Sequence, residues 1–502
     1  MGAAGPVSAA TILEQFEAVI GIEIHCQLKT KSKMFCACST EYDGATPNTH
    51  CCPVCLGLPG ALPVINRAAV EYVIATGLAI DAEIPERTQW ERKNYFYPDL
   101  PKGYQISQYA IPLAGYGHLD IETSAGPFTV RIRRAHLEED TAKLAHGEQL
   151  SATGGRTSLV DFNRSGAPLM EIVTEADLRT AEQARRYAEE LQLLLRAIGV
   201  SDADMERGQM RVEANVSLRP IGTEPFGTRV EVKNMNSFRS VERAIGYEIE
   251  RQGNALLSGE PLRMETRGWD DNRQLTYHMR NKETSEDYRY FPEPDLPPLH
   301  VEPGWISRIA AALPELPAAR RDRYVALGLS AYDAGVIVAD PSMIGAFEAI
   351  LAAAPAGVSL PAKEVSNFVT GTHARVAKET GLNAAGTAGA SSPADLAALL
   401  AAVIAGTVSR PTGRDLLARH LADGASAAQL LASAGPGPIS DDAALLAHID
   451  AVVAANPKAV ADHAAGKPVL GFFVGQVMKA TKGAADAARV TELVRTRLDA
   501  GG

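Results

Sequence analysis

All six cysteines of this 502-residue chain fall between Cys26 and Cys55. Four of them form two close pairs, Cys36-x-Cys38 and Cys52-x-x-Cys55, with 13 residues between the pairs. Two thiolate pairs separated by a loop suit tetrahedral Zn²⁺, and a site closed by four sulfurs is structural because no position is left for substrate. Cys52-Pro53-Val54-Cys55-Leu56-Gly57 has the small residues of a zinc knuckle, which let backbone amides approach the sulfurs. Cys51 is an alternative ligand to its neighbour Cys52, and Cys26 is expected to pack. Reduced, buried cysteines without metal are the competing reading. Disulfides do not suit a cytosolic chain. His136-Leu137-Glu138 and Cys52-x-x-Cys55 have the composition of a zinc deaminase site. In that chemistry, however, H-x-E precedes the cysteine pair, with proline ahead of the pair. Here the order is reversed and Pro53 lies inside it, which excludes a deaminase.

A second set of candidates lies on segments that alternate apolar and polar residues, the pattern of a half-buried strand. In EAVIGIEIHCQL, Ile20, Ile22 and Ile24 share one face, and Glu23 and His25 share the other. In RRAHLEED, His136, Glu138 and Asp140 alternate. In GQMRVEANVSLRP, Met210, Val212, Ala214, Val216 and Leu218 oppose Arg211, Glu213, Asn215 and Ser217. TRVEVKN adds Glu231 and Lys233. If these polar faces converge, they make a cluster of carboxylates with one or two imidazoles. That donor set suits Mg²⁺ or Mn²⁺ in phosphate chemistry. The alternative is a set of solvated faces carrying surface ion pairs.

Other chemistries lack their residues. Ala465-Gly466-Lys467-Pro468 is not a phosphate-binding loop, and neither H-E-x-x-H nor G-x-S-x-G occurs. No cysteine stands in glutaminase surroundings, so an enzyme that uses ammonia would receive it from a partner.

The elements that must position these residues are legible in outline. Thr180 and Gln183 form a capping box. Ala184, Tyr187, Leu191, Leu195 and Ile198 then make a helical stripe that Gly199 stops. The alternating segments and this helix predict an α+β fold with mainly antiparallel sheet. Of the 29 aromatic residues, 22 precede residue 301; beyond it the chain is rich in Ala and Leu and reads as helical. Phe291 to Gly304 holds five prolines and reads as an extended connector, with a second at Gly435–Pro438 and a flexible loop over Asn383–Pro393. The expected organisation is a flexible N-terminus (1–15), a large N-terminal domain with the zinc knuckle (16–300), a helical domain (301–438) and a helical tail (439–502). The formal net charge of −11 excludes binding of nucleic acid through bulk charge. No apolar run is long enough to cross a membrane, and the N-terminus has no basic stretch of a signal peptide, so a cytoplasmic protein is expected.

Several long segments are distinctive: VIGIEIHCQLKTKSKMF, CPVCLGLPGALPV, RKNYFYPDLPKGYQISQY, SLVDFNRSGAPLMEIV, VEVKNMNSFRSVERAI, DYRYFPEPDLPPL and GFFVGQVMKATKG. Together they resemble the B-subunit family of the aspartyl/glutamyl-tRNA(Asn/Gln) amidotransferases over nearly the whole chain. The resemblance implies a ligase that phosphorylates the side-chain carboxylate of glutamate or aspartate misacylated onto tRNA, using ATP, and then amidates it with ammonia. It also implies an amidase partner subunit that makes ammonia from glutamine, a small third subunit, a cradle-like N-terminal domain and a tRNA-binding helical tail. Carried over by motif, the magnesium ligands fall on Glu23, His25, Glu138, Glu213 and Glu231, with Glu139 competing with Glu138. Cys36, Cys38, Cys52 and Cys55 imply a zinc-bearing member. Lys233 and Arg211 are expected to touch phosphate or to pair with neighbouring acids. Lys93 to Asp99 would wall the tRNA 3′ end, with Phe96 and Tyr97 packed in the core. From Lys467 to Leu498, six basic residues face only Asp486 and Glu492, a patch adequate for an RNA backbone. A non-catalytic zinc-containing tRNA-binding scaffold is the alternative function.

Overall fold

A computed structural model describes residues 7–150, 156–281, 288–379, 391–434, 442–481 and 485–499. The chain divides into two compact units, Met1–Leu316 and Pro317–Gly502.

The first unit contains strands β1 (Phe16–Gln27), β2 (Arg87–Thr88), β3 (Glu91–Asn94), β4 (Tyr104–Ser107), β5 (Ala114–Thr123), β6 (Gly126–Glu139), β7 (Lys143–Leu150) and β8 (Arg156–Asp161). These are followed by β9 (Pro168–Thr174), β10 (Met210–Pro220), β11 (Val230–Met235), β12 (Glu265–Asp270), β13 (Leu275–Asn281), β14 (Phe291–Pro292) and β15 (Leu299–His300). Its helices include α1 (Ala9–Ile12), α2 (Arg67–Ala79), α3 (Ala181–Ala197), α4 (Phe238–Ser258) and α5 (Pro303–Ala312).

Among the described residues, eight strands form the main sheet in the order β13-β12-β11-β10-β1-β9-β6-β5. Its neighbours pair antiparallel except β11 and β12, which run parallel. A parallel pair needs a long crossover, and α4 provides it. The apolar faces are those the alternation predicts. Ile20, Ile22, Ile24, Met210, Val212, Ala214, Val216 and Leu218 are all buried, together with Met170 and Ile172 of β9. Helix α3 begins at the Thr180–Gln183 capping box and buries Ala184, Tyr187, Leu191 and Leu195; Gly199 follows it with φ of 74°. Helix α4 is capped by Ser237 and ends at Gly259, in the left-handed region. With one sheet face committed to this core, the opposite face is left for the polar residues of β1, β6, β9, β10 and β11.

Two expectations about segments need correction. The proline-dense stretch is extended, but it is packed into the first unit. Phe291–Pro292 pairs with β3 and Leu299–His300 with β2. Glu293 and Val301 are buried. Proline is tolerated in such short edge pairings because no ladder donor is needed from it. Helix α5 follows, and its Trp305 indole N–H donates to Glu71 of α2 at 2.8 Å. At the other end, Ile12 of α1, within the expected flexible N-terminus, is fully buried and meets Gly253 of α4, where a Cβ would lie 2.4 Å from it.

The second unit is helical among its described residues. Helices Pro317–Ala326, Ala331–Val338, Pro341–Ala352, Pro393–Ile404, Arg410–Asp423 and Ala427–Ser433 make its first part. A π-helical stretch, Phe368–His373, joins Ala362–Asn367 to Ala374–Glu379. Asp442–Ala455, Leu470–Ala480 and Ala487–Asp499 share an apolar cluster of their own around Leu445, Ile449, Phe473, Val477, Val490 and Val494. The expected connector at Gly435–Pro438 and residues 383–390 of the expected loop lie outside the described residues. Among the described residues no single helix is long and apolar enough to cross a membrane.

Candidate functional site

The polar face of the main sheet floors a cleft of about 960 Å³. Strand register decides which side chains meet there. Across neighbouring strands, His136 of β6 stands beside Glu171 of β9, Glu171 beside His25 of β1, and His25 beside Arg211 of β10. Glu23 of β1 stands opposite Glu213 of β10. Residues in register on one face lie close enough for their side chains to interact.

Two acidic triads result. In the first, Nε2 of His25 lies 3.5 Å from Glu138 Oε1 and 3.5 Å from Glu171 Oε2, and Nε2 of His136 lies 3.4 Å from Glu171. Donor atoms of His25, Glu138 and Glu171 all fall within 4.8 Å of one another. In the second, donor atoms of Glu23, Glu213 and Glu231 do the same. The electrostatics reflect this crowding. Burial favours a neutral His25, but Glu171, Glu213 and Glu138 overcome it and raise the imidazole to about 9. Burial likewise opposes ionisation of Glu171, yet His136 and His25 hold its carboxyl well below the usual range. Lys93 is raised despite its burial, chiefly by Glu138. Lys233 is raised in the same way by Glu213 and Glu231. Such a face demands positive charge. Carboxylates with one imidazole form the oxygen-rich donor set of Mg²⁺ or Mn²⁺, and binding of the ion would release the imidazole proton. The Nδ1 atoms of His25 and His136 are buried without a hydrogen-bond partner, so the Nε2 atoms are the ones turned to the acids.

The neighbouring residues divide by strand parity. Glu138 lines the cleft, whereas Glu139 faces away, forming an ion pair with Lys102 and accepting the Ile106 N–H at 3.0 Å. Arg211 is held by Asp140 through two bonds of 3.1 and 3.2 Å, and this guanidinium, with that of Arg164, keeps the buried Asp140 carboxyl well below its usual range. Lys233 Nζ donates to Glu213 at 2.7 Å and lies 3.9 Å from Glu231. Both cations therefore pair with neighbouring acids while still lining the cleft.

The cysteines form a separate cluster. The sulfurs of Cys36, Cys38, Cys52 and Cys55 lie within 4.8 Å of one another, and those of Cys52 and Cys55 are 3.9 Å apart. A tetrahedron of sulfurs about 2.3 Å from zinc has edges of about 3.8 Å, so the four fit that ion. The Cys52 N–H donates to Cys55 Sγ at 3.1 Å. Lys33, buried beneath the cluster, donates to the same sulfur at 3.6 Å. These bonds, with a thiol hydrogen bond from Cys36 as the largest contribution, lower the Cys55 thiol to about 4. Cys51 turns instead to Asn163, and Cys26 is buried against Ser201.

Residues 18–307 match the GatB/GatE catalytic domain family and residues 346–498 the GatB domain family. A relative from Dehalococcoides mccartyi (strain CBDB1), named as the B subunit of an aspartyl/glutamyl-tRNA(Asn/Gln) amidotransferase, is 47% identical over 97% of this chain and 100% of its own length. Relatives of the same name from Anaeromyxobacter dehalogenans and Moorella thermoacetica are 49% and 48% identical, over 97% and 96% of this chain and 99% and 100% of their own. The chain belongs to the amidotransferase B-subunit family.

Within this family member, the sequence reading misses Glu171 and the part played by two residues it does name, His136 and Lys93. Glu171 bridges both histidines, and its signal was available: Leu169, Glu171 and Val173 alternate with Met170 and Ile172. His136 is visible in the alternation of RRAHLEED but is not carried over as a site residue. Lys93 reaches the first triad from outside the main sheet, on β3, and no spacing links it there. The aromatic signature also differs from expectation. Phe96 is 78% exposed and Tyr97 46% exposed, so neither packs in the core. The Tyr97 hydroxyl accepts a bond from Arg280 at 2.7 Å, while Tyr95, Tyr109, Tyr288 and Tyr290 supply aromatic walls of the cleft.

Proposed function

We propose that this chain is the ATP-dependent transamidation subunit of a tRNA-dependent amidotransferase, acting on Glu-tRNA(Gln), Asp-tRNA(Asn) or both. The observation that carries the reading is the convergence of five carboxylates and two imidazoles in one cleft with Lys93 and Lys233. A scaffold that only held RNA would gain nothing from acids gathered where a phosphate backbone must approach.

The reaction has two steps. An oxygen of the aminoacyl side-chain carboxylate attacks the γ-phosphorus of ATP, the bond to ADP breaks, and an acyl phosphate forms. Ammonia then attacks the acyl carbon, the bond to phosphate breaks, and the nitrogen gives up a proton as the amide forms. Glu23, Glu213 and Glu231, with His25, Glu138 and Glu171, would hold Mg²⁺, which when bound neutralises charge between the carboxylate and the γ-phosphate. Lys233 orients phosphate oxygens from the floor of the cleft. Arg211 fixes Asp140 and presents the remainder of its guanidinium to the same space. The aromatic walls restrict water, against which an acyl phosphate must be protected.

Cys36, Cys38, Cys52 and Cys55 hold structural Zn²⁺. A partner amidase subunit supplies ammonia from glutamine, a small third subunit completes the complex, and the helical tail contributes to holding the misacylated tRNA. The complex works in the cytoplasm.

The test is amide formation from purified Glu-tRNA(Gln) and Asp-tRNA(Asn) by the assembled complex supplied with ATP, Mg²⁺ and free ammonia. Glu138→Gln and Glu171→Gln should each lower the rate at least about tenfold while leaving tRNA affinity unchanged. Wild-type rates in both variants would refute the assignment.

A further inference from the structure

Besides Lys233, which bonds Glu213 at 2.7 Å and lies 3.9 Å from Glu231, the second acidic triad is held by donors that carry no charge. Thr266 Oγ1–H donates to Glu231 Oε2 at 2.7 Å, and Asn215 Nδ2–H donates to Glu23 Oε1 at 2.8 Å. The placement of Thr266 follows from the one parallel pairing of the main sheet. The α4 crossover brings β12 beside β11 with Thr266 in register with Glu231, so both side chains emerge on the same face. Thr266 is 1% exposed and Glu231 6% exposed. A buried hydroxyl aimed at a buried carboxylate fixes its rotation. A threonine in a strand also has few side-chain rotamers, so the hydroxyl is itself well placed.

An uncharged donor differs from an arginine or lysine at the same point. It takes one oxygen and sets the direction of the other without neutralising the carboxylate; that other oxygen lies 3.9 Å from the Lys233 ammonium. Elsewhere in this unit a cation does take up a buried acid: Arg92 spans both oxygens of Glu293, and Arg211 both oxygens of Asp140. Outer-shell donors of this kind orient metal-ligating carboxylates and tune affinity.

We propose that Thr266 is a positioning residue for a divalent-cation site made by Glu23, Glu213 and Glu231, with Asn215 performing the same task at Glu23. The proposal rests on reading this triad as a cation site. The experiment measures Mn²⁺ binding directly, by loss of the free-ion electron paramagnetic resonance signal, on the full-length chain without turnover. Glu231→Gln is the control for the site itself, and its thermal unfolding, like that of each variant, is recorded alongside. Thr266→Val keeps the shape and removes the donor, and should weaken Mn²⁺ binding by about 10–100-fold. Thr266→Ser restores the hydroxyl and should bind like wild type. Wild-type affinity in folded Thr266→Val overturns the positioning role, as does equal weakening in Thr266→Ser. If Glu231→Gln binds as tightly as wild type, the triad is not the cation site, and the reading beneath the proposal fails with it.

Discussion

The buried pair between Arg92 and Glu293 offers a direct test of whether the proline-dense segment belongs to the first unit. Arg92 Nε donates to Glu293 Oε2 at 2.7 Å and Nη2 to Oε1 at 2.8 Å. The Glu293 side chain is 0% exposed and that of Arg92 19%. The guanidinium also lies 4.1 Å from the Tyr104 ring centroid. Arg92→Met keeps most of the aliphatic stem and removes the charge. Breaking a buried ion pair from one side costs about 3–5 kcal/mol, because the other charge is left uncompensated. Glu293 would still accept the Asp295 N–H at 3.0 Å, which places the loss near the lower end, about 3 kcal/mol. An unfolding entropy of about 2.1 cal/mol/K per residue over the unit Met1–Leu316 amounts to about 0.7 kcal/mol/K, so the midpoint should fall by about 4–5 °C. The assay is differential scanning calorimetry of the full-length chain, repeated for Glu293→Gln and the double variant. With no charge left to strand, the double variant should lose less than the sum of the singles, by at least about 1 kcal/mol. An Arg92→Met midpoint within about 1 °C of wild type, or strict additivity, would show that the segment is not anchored by this pair.

Two further outcomes are expected. Metal analysis of the purified chain should give one zinc per chain that survives Cys51→Ser and is lost in Cys52→Ser, since only Cys52 turns its sulfur to the cluster; zinc retained in Cys52→Ser would reverse that assignment. Deleting residues 439–502 should weaken tRNA binding more than it slows ammonia-dependent chemistry at saturating tRNA. Binding and rate should be measured separately on the assembled complex, and unchanged affinity would remove the tail from tRNA recognition.

The tail also changes how the charge is read. The window from Lys467 to Leu498 is basic, but residues 439–502 as a whole carry seven acidic and seven basic side chains. Helix packing brings them together: Arg489 pairs with Asp442, Arg497 with Asp450 at 2.5 Å, and Lys467 with Asp462 at 2.8 Å. A charge count along the chain misses acids that arrive from another helix. Contact with RNA would therefore rest on local shape and on cations such as Lys479 and Arg495, and should show a shallow salt dependence.

What sequence alone determined is what local rules govern. Period-two alternation identified the buried faces of β1 and β10 because a strand must place successive side chains on opposite sides. The capping box located the start of α3, and cysteine spacing picked out four sulfurs that do converge. Tertiary structure decided everything that depends on register and crossover. Glu138 enters the cleft and Glu139 leaves it. A bulge between Ile132 and Arg134, where β6 meets β9, resets the alternation along the strand, so Arg133 and Arg134 both line the cleft. Glu171 joins the site because β9 lies between β6 and β1, and Lys93 joins from a different sheet altogether. Thr266 meets Glu231 only because α4 returns the chain parallel to β11. Strand order and pairing are set by non-local burial, which no window of residues along the chain contains.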